Sequence, residues 1–168
     1  MIRSYLFGIL LLIVSALIET AILSNIFFLP AIPDLLLICS LYFSVNNGCV
    51  YGETLGFSSG LFIDFLSGSP FGLNCLVRTI IGYAAGFLQK MLNLKSYLVN
   101  FLIGFTGTLL KALLIYCASF FFPNMINTYN IFSSVFLFEL IFNSVLTPFV
   151  FKFLNCFSDF IIISEHVL

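Results

Sequence analysis

The sequence predicts an all-α protein: an integral membrane bundle of six transmembrane helices, forming a single transmembrane domain over residues 1–168. The first observation behind this is composition. Hydrophobic residues make up 61% of the chain and charged residues 8%, whereas soluble domains hold roughly 45–50% apolar and about 25% charged residues. The 6 basic and 7 acidic side chains fall far below the roughly 40 that a soluble surface of this size carries. A disordered chain is excluded as well, because disorder requires low hydrophobicity and high charge. The second observation is length. Six spans of about 20 residues use on the order of 120 positions and leave only short tails and loops. The third is that the apolar runs are long and lack strict alternation, which argues against a β-barrel.

The elements follow in order. The first helix covers about residues 5–23. It has a basic start at Arg3 but carries Glu19 and no small-residue cleavage site, so it reads as an uncleaved span and not a signal peptide. Pro30 and Pro33 bracket a break. Pro33-Asp34 suits a helix start, since proline there loses no hydrogen bond and an acid favours the positive helix end. The second helix covers about 34–45 and looks short unless it extends back through 27–32 as a broken piece. Asn46-Asn47-Gly48 is a turn. The third helix covers 49–66 and stops at Ser67-Gly68-Ser69-Pro70. The fourth covers 71–88 and precedes a more polar stretch, 89–96. The fifth covers 97–122 and ends at Pro123-Asn124. The sixth covers 130–154, with a kink expected at Pro148.

Orientation follows from basic residues at or beyond the ends of the spans. Arg3, Lys90, Lys95 and Lys152 all fall on one side of a six-helix topology. The positive-inside rule makes that side the cytoplasm and places both termini there. Tyr5, Tyr42, Tyr51, Tyr97 and Tyr129 lie near predicted helix ends, as an interfacial belt requires.

The sharpest pattern is a glycine ladder. Gly48, Gly52, Gly56 and Gly60 recur every fourth residue, Asp64 takes the next step, and Gly68 and Gly72 continue the series. Gly82 and Gly86 repeat the device on the fourth helix. Residues four apart share a face, and a face without side chains admits close approach of another backbone. Two readings stand: tight internal packing, the weightier, or a contact with another protein.

Five charges fall within the predicted spans: Glu19, Asp64, Arg78, Lys111 and Glu139. Each costs about 2.5–3.5 kcal/mol at a bilayer centre, so they are expected to face inward and pair. Asp64 with Arg78 is the expected first pair, because a tight turn joins their helices, and Lys111 with Glu139 the second. Asn143 and Thr147 after Glu139, and Ser15 before Glu19, extend a polar stripe at helical spacing. Such charges mark either an ion or ligand path or the selection of helix partners; near-balance of sign favours the latter. Glu53 is assigned only a favourable place near a helix start.

Other chemistry finds little support. Cys39, Cys49, Cys75, Cys117 and Cys156 form no CxxC pair and sit in or near apolar runs, which reads as inert packing. His166 is the single histidine, so a multi-histidine metal site is impossible and a His-based catalytic triad improbable. There is no phosphate-binding glycine loop. A net charge of −1 without a basic cluster gives no nucleic-acid surface. Asp159 and Glu165 read as a solvated tail. No catalytic residue, cofactor or metal is expected, and the bilayer lipid is the chain's solvent.

The stretch 52–72, GETLGFSSGLFIDFLSGSPFG, resembles the signature of the bacterial rod shape-determining protein MreD family. The features that match are a G-F-x-x-G-L-x-x-D core with following glycines, a preceding Pro33-Asp34-Leu35-Leu36-Leu37, and a following Gly82-Tyr83 with Gly86. The match covers about residues 33–88; the other helices agree in hydrophobicity only. The resemblance implies a non-enzymatic subunit of the cell-elongation (rod) machinery in the bacterial inner membrane. It would scaffold an MreC-like single-span protein and, indirectly, MreB and peptidoglycan synthases. Gly56, Phe57, Gly60, Leu61 and Asp64 are the motif positions; with Gly52, Gly82 and Gly86 they form the expected packing or partner surface. The family's layout is similar to the substrate-binding subunits of energy-coupling-factor transporters, which makes a vitamin-binding subunit the rival reading. Those subunits carry Ala-x-x-x-Ala on the first helix, where this chain has Ala16 and Thr20.

Overall fold

The computed structural model describes residues 2–21, 31–67, 70–89, 91, 92, 94, 96–121 and 133–161, without the side chains of residues 2, 3, 67, 159 and 160. Gly68, Lys90, Lys95, Tyr129, Glu165 and His166 lie outside the described residues, as do Pro30, Pro123 and Asn124. Of the four orienting cations, only Lys152 has a described side chain. The described elements are all helical: α1 (Ile2–Ala21), α2 (Leu35–Asn47), α3 (Cys49–Ser67), α4 (Leu73–Phe87), α5 (Tyr97–Phe121), α6 (Ser134–Asn155) and a short α7 (Ser158–Ile161).

These bounds lie close to the expected ones, with three differences. The second helix does not reach back through Ala31 and Ile32; it opens at Asp34, whose carboxylate caps it. The sixth helix opens at Ser134, where the Ser133 hydroxyl accepts the Phe136 N–H at 3.2 Å. It then runs through Pro148 as one helix. Finally, α7 adds a turn to the tail and packs on α1, with Ile161 fully buried.

Among the described residues, three helices are long and apolar enough to cross a membrane: Ser4–Ala21, Tyr97–Phe121 and Ser134–Asn155. In contrast, α2 and α4 have 13 and 15 residues, about 20 and 22 Å at 1.5 Å per residue, short of the roughly 30 Å of hydrocarbon. The shortest of the six main helices is the hub. α2 touches each of the other five, and every residue from Leu36 to Val45 is buried. Around it stand two hairpin pairs, α3 with α4 and α5 with α6, while α1 leans on α2, α3 and α7.

The outer faces are apolar, and polar side chains lie within a largely apolar interior. The outer faces carry Leu6, Leu10 and Leu17 on α1, Leu98, Leu102, Leu113 and Phe120 on α5, and Val145, Phe149 and Phe153 on α6, all exposed. The interior holds Ser40, Ser44, Ser59, Thr108, Asn143, Ser144 and Thr147, all buried. Hydroxyls at or near the outer surface turn back on their own helix: Thr20 onto Ala16 O, Thr54 onto Val50 O, Ser58 onto Thr54 O and Thr106 onto Leu102 O, at 2.8–3.0 Å. An apolar solvent demands this, because no water is there to take the proton.

The glycines fix the α3–α4 contact. A Cβ added at Gly52, Gly56, Gly60, Gly82 or Gly86 would fall within 3.0 Å of backbone atoms of the facing helix. Gly52 faces Gly82, Gly56 faces Arg78, and Gly60 faces Asn74 and Cys75. Each four-residue step along α3 is therefore matched by four residues back along α4, one antiparallel register throughout. By contrast, Gly8 on α1 meets only the flexible end of Leu55, at 3.0 Å.

This predicts a sharp contrast between alanine substitutions. Gly60→Ala and Gly82→Ala, which collide with backbone, should each destabilise by about 3 kcal/mol, the upper range of overpacking costs. Gly8→Ala should stay within about 1 kcal/mol of the parent, since a side chain can yield and alanine favours the helix. Unfolding titrations in mixed detergent micelles measure all three.

Candidate functional site: a buried charge network at two helix starts

A helix leaves its first four N–H groups without partners. When a helix starts inside a protein, those groups cannot turn to water, and each orphan is costly. The start of α2 is buried in this way, at Pro33 and Asp34, and at the less covered start of α4 the buried Asp64 serves the same groups.

At α2 every early donor is satisfied. The Asp34 N–H donates to Asn143 Oδ1 at 2.9 Å, and the Leu35 N–H to Pro33 O at 3.2 Å. The Leu36 N–H reaches Glu19 Oε2 at 3.3 Å, and the Leu37 N–H the Asp34 carboxylate at 2.8 Å. At α4 the cap residue is Gly72, which has no side chain to offer. Asp64 supplies the carboxylate from α3, accepting from the N–H groups of Gly72 (2.9 Å), Asn74 (3.2 Å) and Cys75 (3.2 Å), and from the Asn74 amide at 2.9 Å. The Leu73 N–H closes onto Pro70 O at 3.1 Å.

Asp34 does more than cap. Arg78 Nη2 donates to both of its carboxylate oxygens at 2.6 Å, and Lys111 Nζ donates to Oδ2 at 2.7 Å. Lys111 also holds Glu139 Oε1 at 2.8 Å. The Asn143 amide that receives the Asp34 N–H donates in turn to Thr108 Oγ1 at 3.2 Å, and Thr108 to Gly104 O at 2.9 Å. Asp34, Arg78 and Glu139 are 3%, 2% and 6% exposed. The chain Arg78–Asp34–Lys111–Glu139 thus joins α4, the start of α2, α5 and α6. With two charges of each sign it is neutral as a unit, and Glu19 adds α1 through the Leu36 N–H.

The structure therefore draws four of the five expected charges, Glu19, Arg78, Lys111 and Glu139, around one residue expected only to cap a helix, Asp34. Lys111 and Glu139 pair directly. The expected Asp64–Arg78 pair does not form. In the α3–α4 register Asp64 lies opposite position 70, while Arg78 lies opposite Gly56, about two turns and on the order of 12 Å further along. Arg78 crosses to α2, and Asp64 stays at the turn. Of the glycine-ladder residues, Gly52, Gly56, Gly60, Gly82 and Gly86 line the α3–α4 contact. Phe57 and Leu61 instead line an outward groove with Phe71, Leu76 and Ile80, and Phe57 is 49% exposed. Among the described residues no His, Cys, Asp and Glu cluster could hold a metal ion.

The whole layout can be compared with known proteins. The sequence model of the family described as rod shape-determining protein MreD matches residues 1–157. The chain belongs to the MreD family. The match takes in α1, α5 and α6 as well as the glycine segment, so it extends beyond the stretch that carries the visible signature. No curated protein and no solved structure matches the chain. As an MreD-family protein it is an inner-membrane component of rod shape determination, and its apolar exterior agrees with that setting.

The geometry predicts which charges are energetically coupled. Asp34→Asn and Arg78→Gln should each cost roughly 3–5 kcal/mol, because each leaves a buried partner unpaired. Combined, they should cost less than the sum of the singles by about 1–3 kcal/mol. Asp64→Asn with Arg78→Gln should add to within about 0.5 kcal/mol. Four unfolding measurements per cycle distinguish these cases.

Proposed function

We propose that the chain is a non-enzymatic scaffold of the cell-elongation machinery. In this reading it crosses the inner membrane six times with both termini in the cytoplasm. It holds an MreC-like single-span protein beside it and through that protein aligns MreB with peptidoglycan synthases. The observation that carries the reading, beyond family membership, is that the charge network ties helix to helix, with only Arg78 Nε and Nη1 left without a hydrogen-bond partner among the described residues. Arg78, Asp34, Lys111 and Glu139 spend their charges on one another, and Asp64 is spent on the start of α4. The polar interior thus serves helix association, and the outer faces remain apolar for lipid and partner helices.

Within the MreD motif the glycines and the large residues divide their work. Gly56 and Gly60 pack inward, so their replacement tests the fold and not a partner. Phe57 and Leu61 point outward beside Phe71, Leu76 and Ile80, and we assign the MreC-like helix to this groove. The rival vitamin-binding reading gains little, because the carboxylates of Asp64 and Glu139 are engaged with the start of α4 and with Lys111, and Arg78 donates through Nη2 to Asp34.

Phe57→Ala with Leu61→Ala should lower co-purification of a single-span partner at least about tenfold, given that a buried large side chain is worth roughly 1.5–3 kcal/mol. Protein level and thermal stability should stay close to the parent. The matched pair Val145→Ala with Phe149→Ala, on α6, should leave the partner bound. Loss of partner in both pairs, or in neither, counts against the assigned face. A panel of vitamins should leave the melting temperature of the purified protein unmoved, whereas a clear rise with one of them would establish the transporter reading instead.

A further inference from the structure

At the end of the bundle where α2 stops, α5 starts and α6 stops, a cavity of about 430 Å³ opens between the helices. Its floor is apolar, formed in part by Pro148 and Phe151. Its polar groups are of a different kind from the charge network. Asn100 is 7% exposed; its amide donates to Leu94 O at 3.2 Å, and its Oδ1 has no hydrogen-bond partner among the described residues. A buried carbonyl oxygen of this kind calls for a donor. Lys152, in the last turn of α6, lines the same cavity. Its ammonium lies 6.0 Å from the centroid of the Tyr97 ring, and no described carboxylate lies within ion-pair distance of it. Arg78 and Lys111, the other two cations with described side chains, are both ion-paired. The first turn of α5, a 25-residue helix, also opens here, and a helix start carries partial positive charge.

A cation and a helix start ask for an anion, and the Asn100 carbonyl asks for a hydroxyl. We propose that this cavity binds the headgroup of an anionic, hydroxyl-bearing phospholipid of the phosphatidylglycerol type. The phosphate would sit by Lys152 and the glycerol hydroxyls near Asn100. The flanking side chains select a lipid over a soluble anion. Leu98, Phe149 and Phe153, next in sequence to lining residues, are 66%, 65% and 62% exposed, and they give acyl chains an apolar face. The site lies away from the groove assigned to the partner helix, so the inference stands whether or not that assignment does.

The test uses the full chain purified in a neutral detergent. Phosphatidylglycerol, phosphatidylcholine and soluble glycerol phosphate are added separately, and binding is read by native mass spectrometry and by thermal stability. The expected result is retention of phosphatidylglycerol at least about fivefold over phosphatidylcholine, with a higher melting temperature. Lys152→Gln, an exposed change that should spare the fold, should bring that preference close to parity, since one charge-assisted hydrogen bond is worth about tenfold. Asn100→Asp, which sets a like charge near the phosphate, should abolish it. Equal retention of the two lipids, or an unchanged preference in Lys152→Gln, overturns the proposal. Glycerol phosphate matching the intact lipid would instead make this a site for a soluble anion and refute the lipid assignment.

Discussion

The Asp34 carboxylate is the interaction on which the rest of this structure depends. It caps its own helix, accepts both donations from Arg78 Nη2, and accepts one from Lys111. Each of these contacts brings in a different helix, and the Asp34 N–H brings in a fourth through Asn143. In lipid, apolar side chains provide little preference for one helix neighbour over another, because the tails of the solvent are equally apolar. Directional polar contacts must supply that preference. A carboxylate placed at the start of the most buried helix supplies it for α2, α4, α5 and α6 at once. Burying ions is costly, and the compensation lies in their pairing and in the backbone N–H groups they satisfy. Asp34 meets both conditions.

The α3–α4 hairpin solves the same problem by another means. There the backbones come close enough for glycine alone, so dispersion contacts and close approach replace ion pairs. The two solutions meet at the helix starts. α2 and α4 are too short to span hydrocarbon alone, and each begins at an aspartate, one local and one lent by α3. Irregular backbone is tolerated at such depth only where the protein itself satisfies it. The short helices and the buried acids are therefore one feature: remove the acids, and the starts of α2 and α4 each lose the acceptors of their first N–H groups.

Much of this was legible in the sequence, and the failures have a physical pattern. Helix positions followed from apolar run length and from Pro33, Gly48 and Pro70, because those signals are local. The Lys111–Glu139 pair was legible because both residues sit in long apolar runs where a charge stands out. Asp34 was missed as an ion partner because Pro33-Asp34 already had a sufficient local explanation. A cap at the edge of a run does not announce that the edge is buried. The length of the run was the available signal: a helix of 13 residues covers only about 20 Å of the roughly 30 Å of hydrocarbon by itself, so one of its ends lies below the membrane surface. Asp64–Arg78 was misread by counting the turn and ignoring register. Gly52 with Gly82 sets the alignment, and continuing it places Gly56, not Asp64, beside Arg78.

The same register explains why the MreD motif has the composition it does. Its glycines and its aspartate follow one four-residue stripe along α3, from the contact with α4 to the start of that helix. Phe57 and Leu61, each one position after a glycine, are rotated by about 100° from the stripe and reach the outer face. A change in the glycines shifts α4, and with it Arg78 and its hold on Asp34. The glycine packing and the charge network therefore meet on one helix, α4, which carries Arg78. A rigid α3–α4 unit is what allows Phe57 and Leu61 to present a fixed surface, since a partner helix in lipid is selected by shape and not by the hydrophobic effect. The inner side of the motif makes the outer side specific.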